Sequence, residues 1–291
     1  MLAPEPGGTL EPPIVPAAAD ADAWHRFRHA RGFVFDMDGV LYLGNEPLPG
    51  VSEILDALAV RGRHVMLATN NSMSTPESYV MKLATMGIDV PPEAILTSAL
   101  ATRDFLVETL PADAGLFVIG MPALREQLFA GTTFRPIQFD EEPPAAVVLG
   151  LDVGFTYDKL KQAAAAIRGG ARFIATNTDA TLPTETGLVP GAGSIVAAVA
   201  TAAGQTPLVI GKPETPLLVQ CLHRMGVAAG EAVMIGDRLD TDIVAGHRTG
   251  MLTVLVLTGV STREELLHAP IRPDLVVSDL LTLSAALGAD D

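Results

Sequence analysis

Two aspartates one residue apart, Asp36 and Asp38, close the apolar run GFVFD and stand directly before Gly39. In a strand, residues i and i+2 share a side, so both carboxylates face the same way at the C-terminal edge of a sheet, where open α/β sheets place ligands. Two like charges about 4 Å apart repel by ~4 kcal/mol at an effective dielectric near 20. Such a pair requires a cation, a shared proton, or both. A helix-capping aspartate beside a turn aspartate would also satisfy an isolated Asp-x-Asp-Gly. A calcium loop would not, because Gly39 follows the second acid directly rather than a third oxygen ligand.

Three further fragments have complementary chemistry. AVMIGDRLDTDIVAG (232–246) delivers Asp237 at a strand end, with Asp240 and Asp242 in the turn that enters the next helix. Asp240 reads as a cap of that helix, whereas Asp237 can meet Asp36 and Asp38 across the sheet edge. Carboxylates and water form a hard-oxygen set suited to Mg²⁺, which takes few protein ligands and shares its shell with phosphate. LATNNS (67–72) brings the Thr69 hydroxyl and the Asn70 donors to another strand end, a pairing suited to an anion. VIGKPE (209–214) brings Lys212, which alone would pass for a solvated surface charge.

These fragments need a scaffold that gathers strand ends. From Gly32 onward, nine apolar runs alternate with amphipathic segments: 32–36, 64–70, 116–120, 145–150, 172–177, 207–211, 232–237, 253–259 and 275–279. That alternation predicts parallel strands with crossover helices. Thr75-Pro76 and Thr215-Pro216 each offer a cap followed by proline at the first helical position, and Gly87 and Gly226 offer stops. Thr156 to Gly169 and Ser194 to Ala203 read as two more helices. The prolines and acids of RPIQFDEEPP (135–144) interrupt the pattern and mark a connection within a second module.

Composition narrows the function classes. The 291 residues carry a formal charge of −15, which disfavours nucleic acid or an anionic membrane as partner. The one cysteine, Cys221, excludes an internal disulfide and a cysteine-clustered metal site. No apolar run reaches the roughly 20 residues of a membrane span. The expected location is the cytoplasm, and the Pro/Ala-rich residues 1–22 read as a flexible extension.

The ordered set FDMDGVL, ATNNS, GKPE and GDRLDTDI resembles the four motifs of the haloacid dehalogenase (HAD) superfamily. LYLGNEPLPG, TSALAT and ARFIATNTD bring it nearest to the NagD-like and p-nitrophenyl phosphatase subfamily. The resemblance covers about residues 30–285 and implies a Rossmann-like α/β core with a parallel sheet, residues 23–111 and 204–291, plus an inserted α/β type II cap over 112–203. It further implies a Mg²⁺-dependent phosphatase for small-molecule phosphate esters. Asp36 would be the nucleophile and Asp38 the acid and base, while the Asp36 carboxylate, the Asp38 backbone carbonyl and Asp237 would hold Mg²⁺, with Asp242 one layer behind. Gly39, through its amide, and Thr69, Asn70, Asn71 and Lys212 would cradle the phosphate. Arg238, Leu239, Asp240 and Thr241 would line the substrate side. The loop 176–193, with Asn177, Asp179 and Leu182, would read the leaving group. Caps of this type commonly contribute dimer contacts in the family, which leaves the oligomeric state open, with a homodimer through the cap as one alternative. A catalytically silent phosphate-binding module on the same fold is the alternative, although all four motif positions carry competent residues.

Overall fold

The computed structural model describes residues 19–138, 142–184 and 187–288. The first element is the helix Ala19–His29, which takes in residues 19–22 of the expected extension; residues 1–18 lie outside the described residues. All nine predicted strands form. Six parallel strands make one sheet in the order Leu275–Val277, Leu252–Val256, Ala232–Gly236, Gly32–Phe35, His64–Thr69 and Ile95–Thr97. The last of these is a short strand that the sequence pattern does not announce. The chain enters this sheet at its middle, runs out to one edge, and returns on the other side of the first strand. The C-terminal ends of Gly32–Phe35 and Ala232–Gly236 therefore flank a topological switch point, where a crevice opens.

Alternate side chains of the central strands go to opposite faces. Phe33, Phe35, Val233 and Ile235 are buried in one hydrophobic cluster, and Val34 and Met234 in another. Burial on both faces explains why these strands read as continuous apolar runs rather than alternating ones.

Five more parallel strands form a second sheet, ordered Leu208–Val209, Arg172–Ala175, Ala146–Leu149, Gly115–Ile119 and Arg135–Pro136. One face packs under the helices Tyr157–Arg168 and Ala192–Ala203 through Phe117, Val147 and Phe173. The other face, with Leu116, Val118 and Val148, shares a cluster with the first sheet's Val34 and Met66, joined by the helices Ser98–Thr109 and Pro216–Met225. The two sheets thus meet through continuous apolar packing.

Local signals act as expected at most ends. Thr75 accepts from the Ser78 N–H and Thr156 from the Lys159 N–H, each worth about 1 kcal/mol as a helix cap. Gly226 ends its helix at φ 64°. Thr215 makes no side-chain cap, because its own backbone is already helical. The segment 176–193, read from sequence as a loop, contains an antiparallel hairpin of Thr181–Thr184 with Gly187–Pro190. Among the described residues, no helix is long and apolar enough to cross a membrane.

Candidate active site

Register sets the site. Gly32–Phe35 pairs with Ala232–Gly236 so that Phe35 lies beside Ile235, and the Asp36 N–H donates to the Ile235 carbonyl at 2.8 Å. Asp36 and Asp237 therefore leave neighbouring strand ends one residue out of step. Gly236 has no Cβ, and a Cβ there would collide with the Asp242 side chain, which lies across the strand end. Carboxylate oxygens of Asp36, Asp237 and Asp242 come within 4.8 Å of one another.

Lys212 stands among them. Its Nζ lies 2.6 Å from Asp36 Oδ1 and 2.7 Å from Asp242 Oδ1, and donates to the Ala68 carbonyl at 3.2 Å. Burial works to lower the affinity of this ammonium for its proton, but Asp242 and Asp36 more than offset it, so the group stays charged. Burial also pushes the Asp36 carboxyl up to about 8, against the pull of Lys212. Asp237 is pushed up to about 6, again first by burial and then by Asp242. One ammonium for three buried carboxylates leaves a deficit of positive charge. Asp237 Oδ2 accepts from the Val260 N–H at 2.7 Å, whereas its Oδ1 is buried without a hydrogen-bond partner. An orphaned carboxylate oxygen facing two further acids fits a small, hard divalent cation.

Asp38 stands apart from that trio. Its Oδ2 accepts from the Tyr42 hydroxyl at 3.3 Å, and burial raises its carboxyl above the ordinary carboxylate range. Gly39 lines the cleft at φ 81°, but its N–H donates to the Tyr42 carbonyl at 2.9 Å. That bond closes the turn 37–42 beside Asp38. The Thr69 hydroxyl accepts from the Asn71 N–H at 3.1 Å.

Asn70 links both modules. Its side-chain amide hydrogen-bonds both backbone groups of Lys212, and its Nδ2 also reaches the two Asp179 carboxylate oxygens at 3.2 and 3.3 Å. Asn177 donates from Nδ2 to the Asn70 carbonyl at 2.8 Å. Asp179 and Leu182 line the cleft of about 840 Å³, opposite Asp36 and Asp38. Arg238 and Thr241 also reach its wall, but Leu239 and Asp240 do not. Asp240 instead pairs with Arg238 at 3.0 Å, a largely exposed contact.

Sequence reasoning missed three participants. Tyr42 and Lys82 line the cleft, and Val260 supplies the N–H to Asp237. Tyr42 lies within LYLGN, beside the acidic pair, and could have been suspected. Lys82 and Val260 carry no local signal, because only the fold brings them near.

Comparison with known proteins gives the family. A family model described as haloacid dehalogenase-like hydrolase matches residues 33–131, and one described as HAD-hydrolase-like matches 209–283. An acid sugar phosphatase of Staphylococcus aureus is 39% identical over 251 residues, 86% of this chain and 95% of that protein. The chain belongs to the haloacid dehalogenase-like hydrolases. Among solved structures of this family, a 4-nitrophenylphosphatase from Thermotoga maritima superposes with TM-score 0.84 at 37% identity, over 90% of this chain and 99% of that one. NagD from Escherichia coli K-12 gives TM-score 0.79 at 33% identity, over 87% and 97%. A glycerol phosphate phosphatase from Mycobacterium tuberculosis, in complex with magnesium, gives 0.80 at 34% identity, over 89% and 77%. The chain is a HAD phosphatase of the NagD-like group, a hydrolase of phosphate monoesters.

Proposed function

We propose that this phosphatase cleaves small-molecule phosphate monoesters with Mg²⁺ through a phosphorylated Asp36. The observation that carries the reading is the buried arrangement of Asp36 against the Lys212 ammonium, beside the unpartnered Asp237 Oδ1. Asp36, Asp237 and the Asp38 carbonyl would hold the ion, with Asp242 one layer behind, its oxygens on the Lys212 ammonium and the Arg238 N–H. When bound, it would neutralise charge on the phosphoryl group and on the attacking carboxylate.

A carboxylate oxygen of Asp36 attacks phosphorus, and the bond from phosphorus to the ester oxygen breaks. Asp38 gives its proton to that oxygen, so an alcohol leaves; burial raises this carboxyl above the ordinary carboxylate range, the direction a proton donor needs. Water then attacks the phosphoryl group, Asp38 takes up a proton, and inorganic phosphate leaves Asp36 as a carboxylate. Lys212 stabilises negative charge on the transferring group, and Thr69, Asn70 and Asn71 stand beside it at the strand end. An ammonium already fixed between two acids needs no reorganisation when charge develops.

In this reading residues 112–203 act as the cap over a core of 23–111 and 204–291, and the Leu208–Val209 strand extends the cap sheet beyond that boundary. The relatives that act on sugar phosphate, glycerol phosphate and nitrophenyl phosphate support a small polyol or sugar phosphate as substrate. We read the compartment as the cytoplasm from the single, buried cysteine.

The test is phosphate release from p-nitrophenyl phosphate by wild type and Asp36→Asn, each in chelator and in Mg²⁺. Turnover is expected only from wild type with Mg²⁺. Folded, Mg²⁺-loaded wild type that released no phosphate across a broad ester panel would support a silent binding module instead.

A further inference from the structure

Lys82 has no part in the chemistry described so far, yet its Nζ sits 3.8 Å above the centroid of the Tyr42 ring, on the cleft wall. It projects from the helix Pro76–Thr85, and among the described residues it takes part in no ion pair. Tyr42 is fully buried, and its ring packs in the cluster that contains Phe35, Met37 and Tyr79. Its backbone carbonyl is held by the Gly39 N–H. Packing, a backbone bond and a cation on the ring face together leave the phenol little freedom. Its hydroxyl then points at one oxygen of Asp38, Oδ2.

We propose that Tyr42 and Lys82 are positioning residues that fix the orientation of the Asp38 carboxyl, holding Oδ2 away so that Oδ1 faces the ester oxygen. This rests on the reading of Asp38 as proton donor to the leaving group. An oxygen that accepts the Tyr42 hydrogen bond serves poorly as the oxygen that donates, so the bond selects the other one. Among the described residues, Tyr42 is the one hydrogen-bond donor to this carboxyl. Without it, the carboxyl could rotate about its own bond, and a proton donor must lie within hydrogen-bond reach of its acceptor to act. A cation over the ring attracts the electron-rich face and makes the phenol a firmer donor in the ring plane.

The experiment compares kcat/KM, which reports the step that expels the leaving group, for p-nitrophenyl phosphate, phenyl phosphate, glycerol phosphate and phosphoglycolate. Wild type, Tyr42→Phe, Lys82→Met, Lys82→Arg and Asp38→Asn are measured with Mg²⁺. p-Nitrophenolate leaves with little help from a proton, whereas phenolate and alkoxides need one. Tyr42→Phe keeps the packed ring and is expected to lower kcat/KM about tenfold for phenyl and glycerol phosphate but at most about threefold for p-nitrophenyl phosphate. Lys82→Met should show the same split at smaller size, and Lys82→Arg should recover most of it, since a guanidinium also stacks on a ring.

Equal losses for all four esters would overturn the proposal in favour of a merely structural role. A Lys82→Met loss confined to phosphoglycolate would overturn it in favour of a subsite for a second anionic group. Asp38→Asn separates the two levels. If it splits the esters and Tyr42→Phe does not, the positioning role fails alone. If Asp38→Asn shows no split, the proton-donor reading fails and the positioning role with it.

Discussion

Asn70 grips Lys212 at both ends of one residue: its Oδ1 accepts from the Lys212 N–H at 2.8 Å, and its Nδ2 donates to the Lys212 carbonyl at 2.8 Å. A side-chain amide here does the work of a neighbouring strand, so the lysine that meets Asp36 is located by hydrogen bonds to its backbone. Asn70→Ala would leave those backbone groups unpaired in a part-buried place, at about 1–3 kcal/mol. The expected result is a lower melting temperature and a loss of kcat/KM of about a hundredfold, because an ångström of displacement at a reacting group has that scale. Thermal unfolding and steady-state kinetics check it; wild-type kcat/KM in a destabilised variant would show that Lys212 keeps its place unaided.

Gly39 occupies φ 81°, and an added Cβ would stand 2.5 Å from Asp237 Oδ2. Gly39→Ala is therefore strained in its backbone and would push aside an acid of the cation site. We expect destabilisation of about 1–3 kcal/mol from the conformation alone, together with weaker Mg²⁺ binding by calorimetry. Gly62→Ala, at φ 63° with open space around it, is the control for backbone strain without the clash. It should cost stability and leave Mg²⁺ affinity unchanged.

Burial pushes Asp36 to about 8 and Asp237 to about 6, from an ordinary 3.8. Between 3.8 and about 8 the folded, metal-free chain holds protons that the unfolded chain has released, so its stability falls as pH rises through that window. In chelator, the melting temperature should drop by several degrees between pH 5 and 9, on a scale of about 2–4 °C per kcal/mol. Mg²⁺ should remove most of the drop, because a bound cation takes the place of the protons. A metal-free melting temperature that rose across this range would contradict the assignment.

On the cap side, Asp179 is tied to Asn70 and hence to Lys212, whereas Leu182 touches the cleft without such a tie. Leu182→Ala should change the ratio of kcat/KM for glycerol phosphate against p-nitrophenyl phosphate by about tenfold, with little effect on the latter. Asp179→Asn should lower both, since it also loosens the residue that holds Lys212. A ratio unchanged in Leu182→Ala would remove the cap hairpin from substrate selection.

Much of this molecule is written locally. The apolar runs that end in Asp36, Thr69, Lys212 and Asp237 announce strands whose ends carry chemistry, and the caps at Thr75 and Thr156 announce the helices between them. Those signals depend on side-chain periodicity and backbone preference, which a short window of sequence contains. Pairing depends on which apolar faces fit together across long separations in the chain, and no window contains that. So only the tertiary structure decided that Leu208–Val209 joins the second sheet, placing Lys212 at the junction of the two modules. It likewise decided that Thr181–Thr184 pairs with Gly187–Pro190, and that Asp242 meets Lys212 directly across the space Gly236 leaves open. The sequence by itself determined which groups can react; the meeting of strands remote in sequence decided the distances between them.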